Sequence, residues 1–187
     1  MTKENNPMRQ IRTEKVTLNV GAGKDQKVLE KGVKLLKNIT GIEPVKTITN
    51  KRLQAWGLRP GLPIGTKITL RGEEAEKLIV RLIDAKSGEL KKNYFDNNGN
   101  VSFGISEYVD IKGVKYDTEI GMMGLQASIT LTRPGFRIKN RRLKTSRLPA
   151  KHRISQDEAI GYMKEKYGIK IGEEEWLHHI TQKFWNK

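Results

Sequence analysis

The stretch that most constrains the fold is "EKVTLNVGAG", residues 14–23, in which Val16, Leu18 and Val20 alternate with Thr17 and Asn19 until Gly21 and Gly23 end the run. A period of two belongs to a β-strand with one buried and one wet face. The chain must therefore build a sheet, cover one of its sides and leave the other open. "QASITLT" repeats the pattern, with Ala127, Ile129 and Leu131 inward and Ser128, Thr130 and Thr132 outward. The cover comes from two helical patterns. Asp25 is placed to cap a helix running to about Ile39, with Val28, Leu35, Leu36 and Ile39 on one side and Gly41 as the stop. A second helix, from about Glu73 to Lys86, carries Ala75, Leu78, Ile79, Leu82 and Ile83 on one stripe, and Gly88 closes it.

The remaining elements are shorter. "EPVKTITNK" reads as a second strand and Lys67 to Arg71 as a third, while "DNNGN" carries the Asn98-Gly99 pair of a tight hairpin turn between "YF" and "VSFGI". Ser155 and Glu158 have capping-box spacing, which predicts a helix to about Tyr167 with Gly168 as its stop. The tail "EEEWLHHITQKFWNK" is compatible with a short amphipathic helix through Trp176, Ile180 and Phe184. This order predicts an α+β two-layer sandwich with helices on one face of a mainly antiparallel sheet. Residues 1–132 would form the core domain, and 133–187 a basic arm and C-terminal helical extension of the same domain.

The open face is the first functional clue. Thr17 and Asn19, then Lys67, Thr69 and Arg71, then Ser128, Thr130 and Thr132 would share it, a surface of hydroxyls, an amide and cations. Such groups hydrogen-bond phosphate and 2′-hydroxyl oxygens. Threonine is also a good strand former on any wet face, so one such strand would mean little; three of them beside a strong positive charge point to RNA. No aromatic occupies these positions, which favours recognition of backbone and shape over stacking on single-stranded bases.

The charge is the second clue. The chain carries 36 Lys and Arg against 21 Asp and Glu, a formal net charge of +15. Nine of the basic residues fall between Arg133 and Arg153 without a carboxylate among them. Arg133, Arg137, Lys139, Arg141, Arg142, Lys144 and Arg147 would thus line an extended arm that orders on nucleic acid as phosphates are neutralised and counterions released.

Other chemistries find little support. "VGAGKD" places a glycine turn and Lys24 before a helix, but Leu18 stands where a phosphate-binding loop needs its first glycine and Asp25 where it needs Ser or Thr. His152 sits among cations, and adjacent His178 and His179 point to different helix faces, so no metal site is expected. Glu173 to Glu175 read as a solvated helix start, and no nucleophile and base are brought together by spacing. The chain has no cysteine, no apolar run near the length of a membrane span and no signal-peptide core in "MTKENNPMRQ". The expectation is a cytoplasmic protein with no cofactor, no enzymatic activity and no membrane partner. A general nucleic-acid chaperone, for which the arm alone would suffice, stays open on composition.

"KVTLNVGAG", "ITGIEPVKT", "LRPGLPIGTKITLRG" and "GNVSFGISEY" occur in this order. From about Met8 to Ile171 the chain resembles the large-subunit ribosomal protein five family, and "HRISQDEAIGYMKEKYG" after the basic segment resembles its archaeal form. The resemblance implies a sheet that docks 5S rRNA in the central protuberance through Asn19 and Thr69, with Thr47 and Arg71 as further contacts. Thr17 and Lys67 share that face by strand parity. It also implies contact between the loop carrying Lys51, Arg52 and Arg59 and the P-site tRNA, with Pro60, Gly61, Pro63 and Gly65 stiffening the loop. Further implied partners are 23S rRNA along the arm and a small-subunit head protein across an intersubunit bridge. Ile42 stands where bacterial members have a glutamine used toward the RNA, so that contact does not transfer, and the tail after Gly172 matches no part of the family pattern.

Overall fold

The structure, a computed structural model, describes residues 6–172. The tail helix suggested above, and with it His178, His179 and Glu173 to Glu175, lies outside them. One sheet is built from β1 (Arg12–Gly21), β2 (Val45–Ile48), β3 (Pro63–Leu70), β5 (Asn100–Ile105) and β6 (Leu125–Thr132). These five strands are antiparallel and lie in the order β2-β3-β1-β6-β5. The alternating strand of the opening argument is therefore central. Val16, Leu18 and Val20 are buried, as are Ala127, Ile129 and Leu131 opposite them.

Among the described residues four helices accompany the sheet: α1 (Gln26–Thr40), α2 (Gly72–Asp84), the single turn α3 (Arg137–Asn140) and α4 (Gln156–Tyr167). The stripes read from sequence face inward, with Leu35, Leu36 and Ile39 of α1 and Ala75, Leu78, Ile79, Leu82 and Ile83 of α2 all in the core, except that Val28 is only half-buried and Leu29 takes the buried position in its place. α1 approaches closely where Gly32 meets Val20 and Thr66; a Cβ there would stand 3.2 Å from both side chains. Asp25 holds the N-cap position of α1 without a side-chain hydrogen bond, whereas Ser155 and Glu158 form both halves of the capping box on α4. Gly41 and Gly168 end their helices in the left-handed conformation.

Two readings need correction. β3 begins at Pro63, four residues before the expected Lys67, because Gly65 and Thr66 already pair with β1 and β2. The turn at 96–100 forms, but only the single bridge Phe95–Val101 joins its arms. Lys92–Tyr94 is a 3-10 turn, and β5 takes β6 as its ladder partner. A parallel pair, β4 (Glu89–Lys91) with β7 (Lys170–Gly172), has no period long enough to be seen in sequence. It fastens the end of the described chain beside the exit of α2. Ile154, Ala159, Met163 and Ile169 join the same core as the sheet.

Candidate nucleic-acid interface

The strand register sorts the open face into rows. Thr69, Thr17, Ser128 and Ser102 lie side by side across β3, β1, β6 and β5. One row over, Val45, Lys67, Asn19, Gln126 and Gly104 span all five strands. Neighbours in a row are about 4.8 Å apart. Within them the amide of Asn19 donates to Gln126 Oε1 at 3.3 Å, and the hydroxyls of Ser102 and Ser128 are 2.7 Å apart. Lys67 and Thr69 are exposed, whereas Thr17, Asn19, Ser128, Thr130, Thr132 and Thr47 are half-buried. Apart from Lys67 these side chains are short, so little rotamer entropy is lost when they bind.

Thr47 belongs to a third row, beside Gly65 and Gly21. Gly65 is required there: a Cβ would stand 2.8 Å from the Val20 carbonyl oxygen and 3.1 Å from Thr47 Oγ1. The row is thus low, with one hydroxyl next to bare backbone, the form a strand takes where another chain approaches closely.

Arg71 lies beyond the end of β3, at the N-cap of α2. Its guanidinium donates to Glu14 Oε1 at 3.3 Å. The partner is thus on β1, at the point where the β1–β6 register shifts between Thr13 and Lys15. That irregularity also turns Thr13 toward the helices, where its hydroxyl meets Tyr162 and Tyr167 at 3.4 and 3.3 Å. Arg71 remains 61% exposed and keeps donors for another ligand.

One contributor escaped the sequence reading. Tyr94, half-buried on a 3-10 turn rather than a strand, lines a shallow depression with Thr17, Asn19, Gln126 and Ser128, beside the β5 edge. Strand parity could not reveal it, and it gives the face an aromatic ring after all, 6.4 Å from that of Phe103.

The loop between β2 and β3 is closed by its own backbone. Thr49 N–H donates to Leu62 O, Gly61 N–H to Thr49 O, and Leu53 and Leu58 exchange a pair of bonds at 3.1 and 3.0 Å. Its stiffness comes from this ladder and from Gly57 and Gly61 in left-handed conformations, because Pro63 and Gly65 already belong to β3. Lys51, Arg52 and Arg59 are all exposed. At the tip stands Trp56, 70% exposed. Sequence reasoning passed over it for the cations, though a tryptophan followed by glycine inside a basic loop was a readable signal. Lys24, from the rejected phosphate-loop motif, lies against this loop, its Cδ 3.8 Å from where a Gly57 Cβ would be.

The basic segment is not an extended arm. It folds back onto the domain, and Arg133, read above as one of its RNA contacts, is its anchor, only 5% exposed. Arg133 Nε donates to Arg9 O at 3.0 Å, Nη1 to Arg153 O at 3.0 Å and Nη2 to Glu158 Oε1 at 2.8 Å. Partial burial tends to raise the Glu158 pKa, but the hydrogen bond from Ser155 N–H and the Arg133 guanidinium together hold it below the ordinary glutamate value. Leu148 and Ile154 are buried, and Phe136 meets the His152 ring edge-on at 5.7 Å. Arg137, Lys139, Arg141, Arg142, Lys144 and Arg147 all remain exposed. Arg141 Nε donates to Lys144 O at 2.7 Å, which closes the bend at Lys144.

Residues 63–161 match the C-terminal part of the ribosomal L5 family, and residues 6–59 match Ribosomal protein L5. The chain belongs to the ribosomal protein L5 family. The Large ribosomal subunit protein uL5 of Nanoarchaeum equitans is 47% identical over 166 residues, 88% of this chain and 98% of that protein. Its counterpart in Sulfurisphaera tokodaii is 44% identical over 92% of this chain and 98% of its own length. That of Methanococcus vannielii is 41% identical over 90% and 94%. These archaeal relatives agree with the archaeal character expected from the basic segment and α4. As a member of the L5 family the chain is a ribosomal protein and not an enzyme. No described helix is long and apolar enough to cross a membrane.

Proposed function

We propose that this chain is a structural protein of the large ribosomal subunit that docks 5S rRNA on the open face of its sheet. The relatives' shared name supports the coarse role. The observation that carries the finer one is the row Thr69, Thr17, Ser128 and Ser102 beside the row Lys67, Asn19 and Gln126. Hydroxyls, amides and a cation are held there on rigid backbone, opposite a face that is wholly core. Thr47 and Arg71 extend the contact at its two ends. Nothing on this face resembles a reaction centre, and no group of His, Cys, Asp or Glu among the described residues could hold a metal ion.

The loop at 49–62 presents Trp56 between Arg52 and Arg59, and Lys51 beside them. An exposed indole among cations suits the outer, partly unstacked surface of a folded RNA. This favours the P-site tRNA as the loop's partner. The folded basic segment, through Arg137, Lys139, Arg141, Arg142, Lys144 and Arg147, lies against 23S rRNA. A small-subunit head protein, met across an intersubunit bridge, completes the set of partners.

The test compares affinity for 5S rRNA with that for an unrelated folded RNA of equal length across a salt series, for wild type and Thr69→Ala. A 5S preference that survives high salt and shrinks with Thr69→Ala is expected. Equal binding to both RNAs that collapses with salt would leave only charge, as in a general chaperone. For the loop, Trp56→Ala is expected to weaken crosslinking to P-site tRNA on assembled ribosomes, with 5S affinity unchanged.

A further inference from the structure

Between the basic segment and the turn at 96–100 lies a cavity of about 560 Å³. Phe136, Leu148 and Ile154 give it apolar walls, and Lys139, Arg147 and Arg153 supply cations around it. Thr145, Ser146 and Asn98 complete the lining, which includes no carboxylate. Asp96, two residues before Asn98, is taken up by the turn itself, accepting from Asn97 N–H and from the Asn98 and Asn100 side chains.

The hollow is built rather than incidental. Ser146 N–H donates to Ile138 O at 3.1 Å, which holds the far wall against α3. The near wall rests on Gly99, whose φ is +79° and where a Cβ would stand 2.7 Å from Ile154 Cγ2. A segment that only tracked phosphates would need cations on a convex surface. Here the cations surround a half-open recess of mixed lining, more polar than apolar, with the Phe136 ring in its wall, and its size falls within the roughly 300–1,000 Å³ of small-ligand sites.

We propose that this cavity takes one unpaired nucleotide of a bound RNA, its base inward against Phe136 and Leu148 and its phosphate outward on Lys139, Arg147 and Arg153. The proposal rests on the reading that the basic segment contacts RNA. It adds a chemical distinction, because a paired base stays in its stack while an unpaired one can be splayed out onto an aromatic ring such as Phe136. This surface therefore prefers a bulge, loop or single strand to a continuous duplex.

The test uses the full chain with a short mixed-sequence single-stranded RNA and a blunt duplex of the same length. Thr145→Trp places an indole in the recess and removes no charge. Single-strand binding is expected to fall about tenfold, with duplex binding unchanged. Arg142→Gln, outside the lining, is expected to lower both alike. An unchanged ratio of the two affinities in folded Thr145→Trp protein would overturn the pocket, while indifference of both RNAs to Arg142→Gln would overturn the RNA-contact reading beneath it. A second measurement avoids mutation. Photocrosslinking of the wild type to 4-thiouridine RNA is expected to label Phe136 or residues 145–148, and labelling confined to other segments counts equally against the pocket.

Discussion

The open sheet face and the basic segment both suit RNA, yet they are made in opposite ways. On the sheet, short side chains are fixed by the ladder, and a displaced group would need a displaced strand. In the basic segment, long cations stand on a loop whose position depends on a few anchors, chiefly Arg133, Leu148 and Ile154. The first arrangement supplies geometry, which discriminates between RNAs. The second supplies charge, which attracts all of them and fades with salt. A protein that relied on the second alone would bind without choosing.

The largest expected effect breaks the second region from beneath. Arg133→Ala leaves the carbonyls of Arg9 and Arg153 without their donor and removes a nearly buried side chain, while the half-exposed Glu158 can be hydrated, and it is expected to cost about 3 kcal/mol. For a chain of this size that is a fall in Tm of roughly 6–12 °C. An unchanged Tm with weakened RNA binding would return Arg133 to the surface set. It also follows that deleting 133–153 is a poor probe of charge, since it removes the anchor as well.

On the sheet, Thr69→Ala and Asn19→Ala are each expected to cost about 1–3 kcal/mol in 5S rRNA affinity if their bonds are buried on binding. Stability should move by less than about 0.5 kcal/mol. Loss of affinity for every RNA alike would erase the contrast between the two regions. A smaller change sharpens it: Arg142→Gln or Arg137→Gln is expected to reduce the slope of log affinity against log salt by about one, for specific and unrelated RNA equally.

The smallest effect concerns pH. Because the folded-state pKa of Glu158 is depressed, its stabilisation is complete above the ordinary glutamate value and is lost as pH falls through the depressed one. Glu158→Gln is expected to lower stability by under about 1 kcal/mol at neutral pH. The difference from wild type should vanish in acid denaturation carried well below pH ~4. A difference that persists there would assign the effect to shape and not to charge.

Much of this was legible because it is periodic or chemically capped. The alternation at Val16, Leu18 and Val20 needed one buried face, the α2 stripe needed one wall, and Ser155 with Glu158 needed a helix start. What escaped reading depends on distance in sequence. Nothing local to Arg133 tells that Arg9 and Glu158 will close around it, and a guanidinium in a run of guanidinia looks like surface. Tyr94 and Trp56 sit on 3-10 turns, where no strand or helix period assigns a side. The β4–β7 pair is three residues a side, too short for a pattern. The site therefore split along the same line: the rows of the sheet were readable from parity, and the folded form of the basic segment was not.

The sheet order also bears on how the chain is assembled during synthesis. β1 lies between β3 and β6, so one of its edges closes early while the other waits for a strand whose Gln126 is 107 residues away from Asn19. Until β6 emerges from the exit tunnel, the central strand of the sheet carries a free row of amides and carbonyls, a template for pairing with another nascent chain. The residues made directly after β6 are the basic ones. A strongly cationic stretch thus follows the completion of the sheet, and mutual repulsion between neighbouring chains rises as the vulnerable edge is sealed.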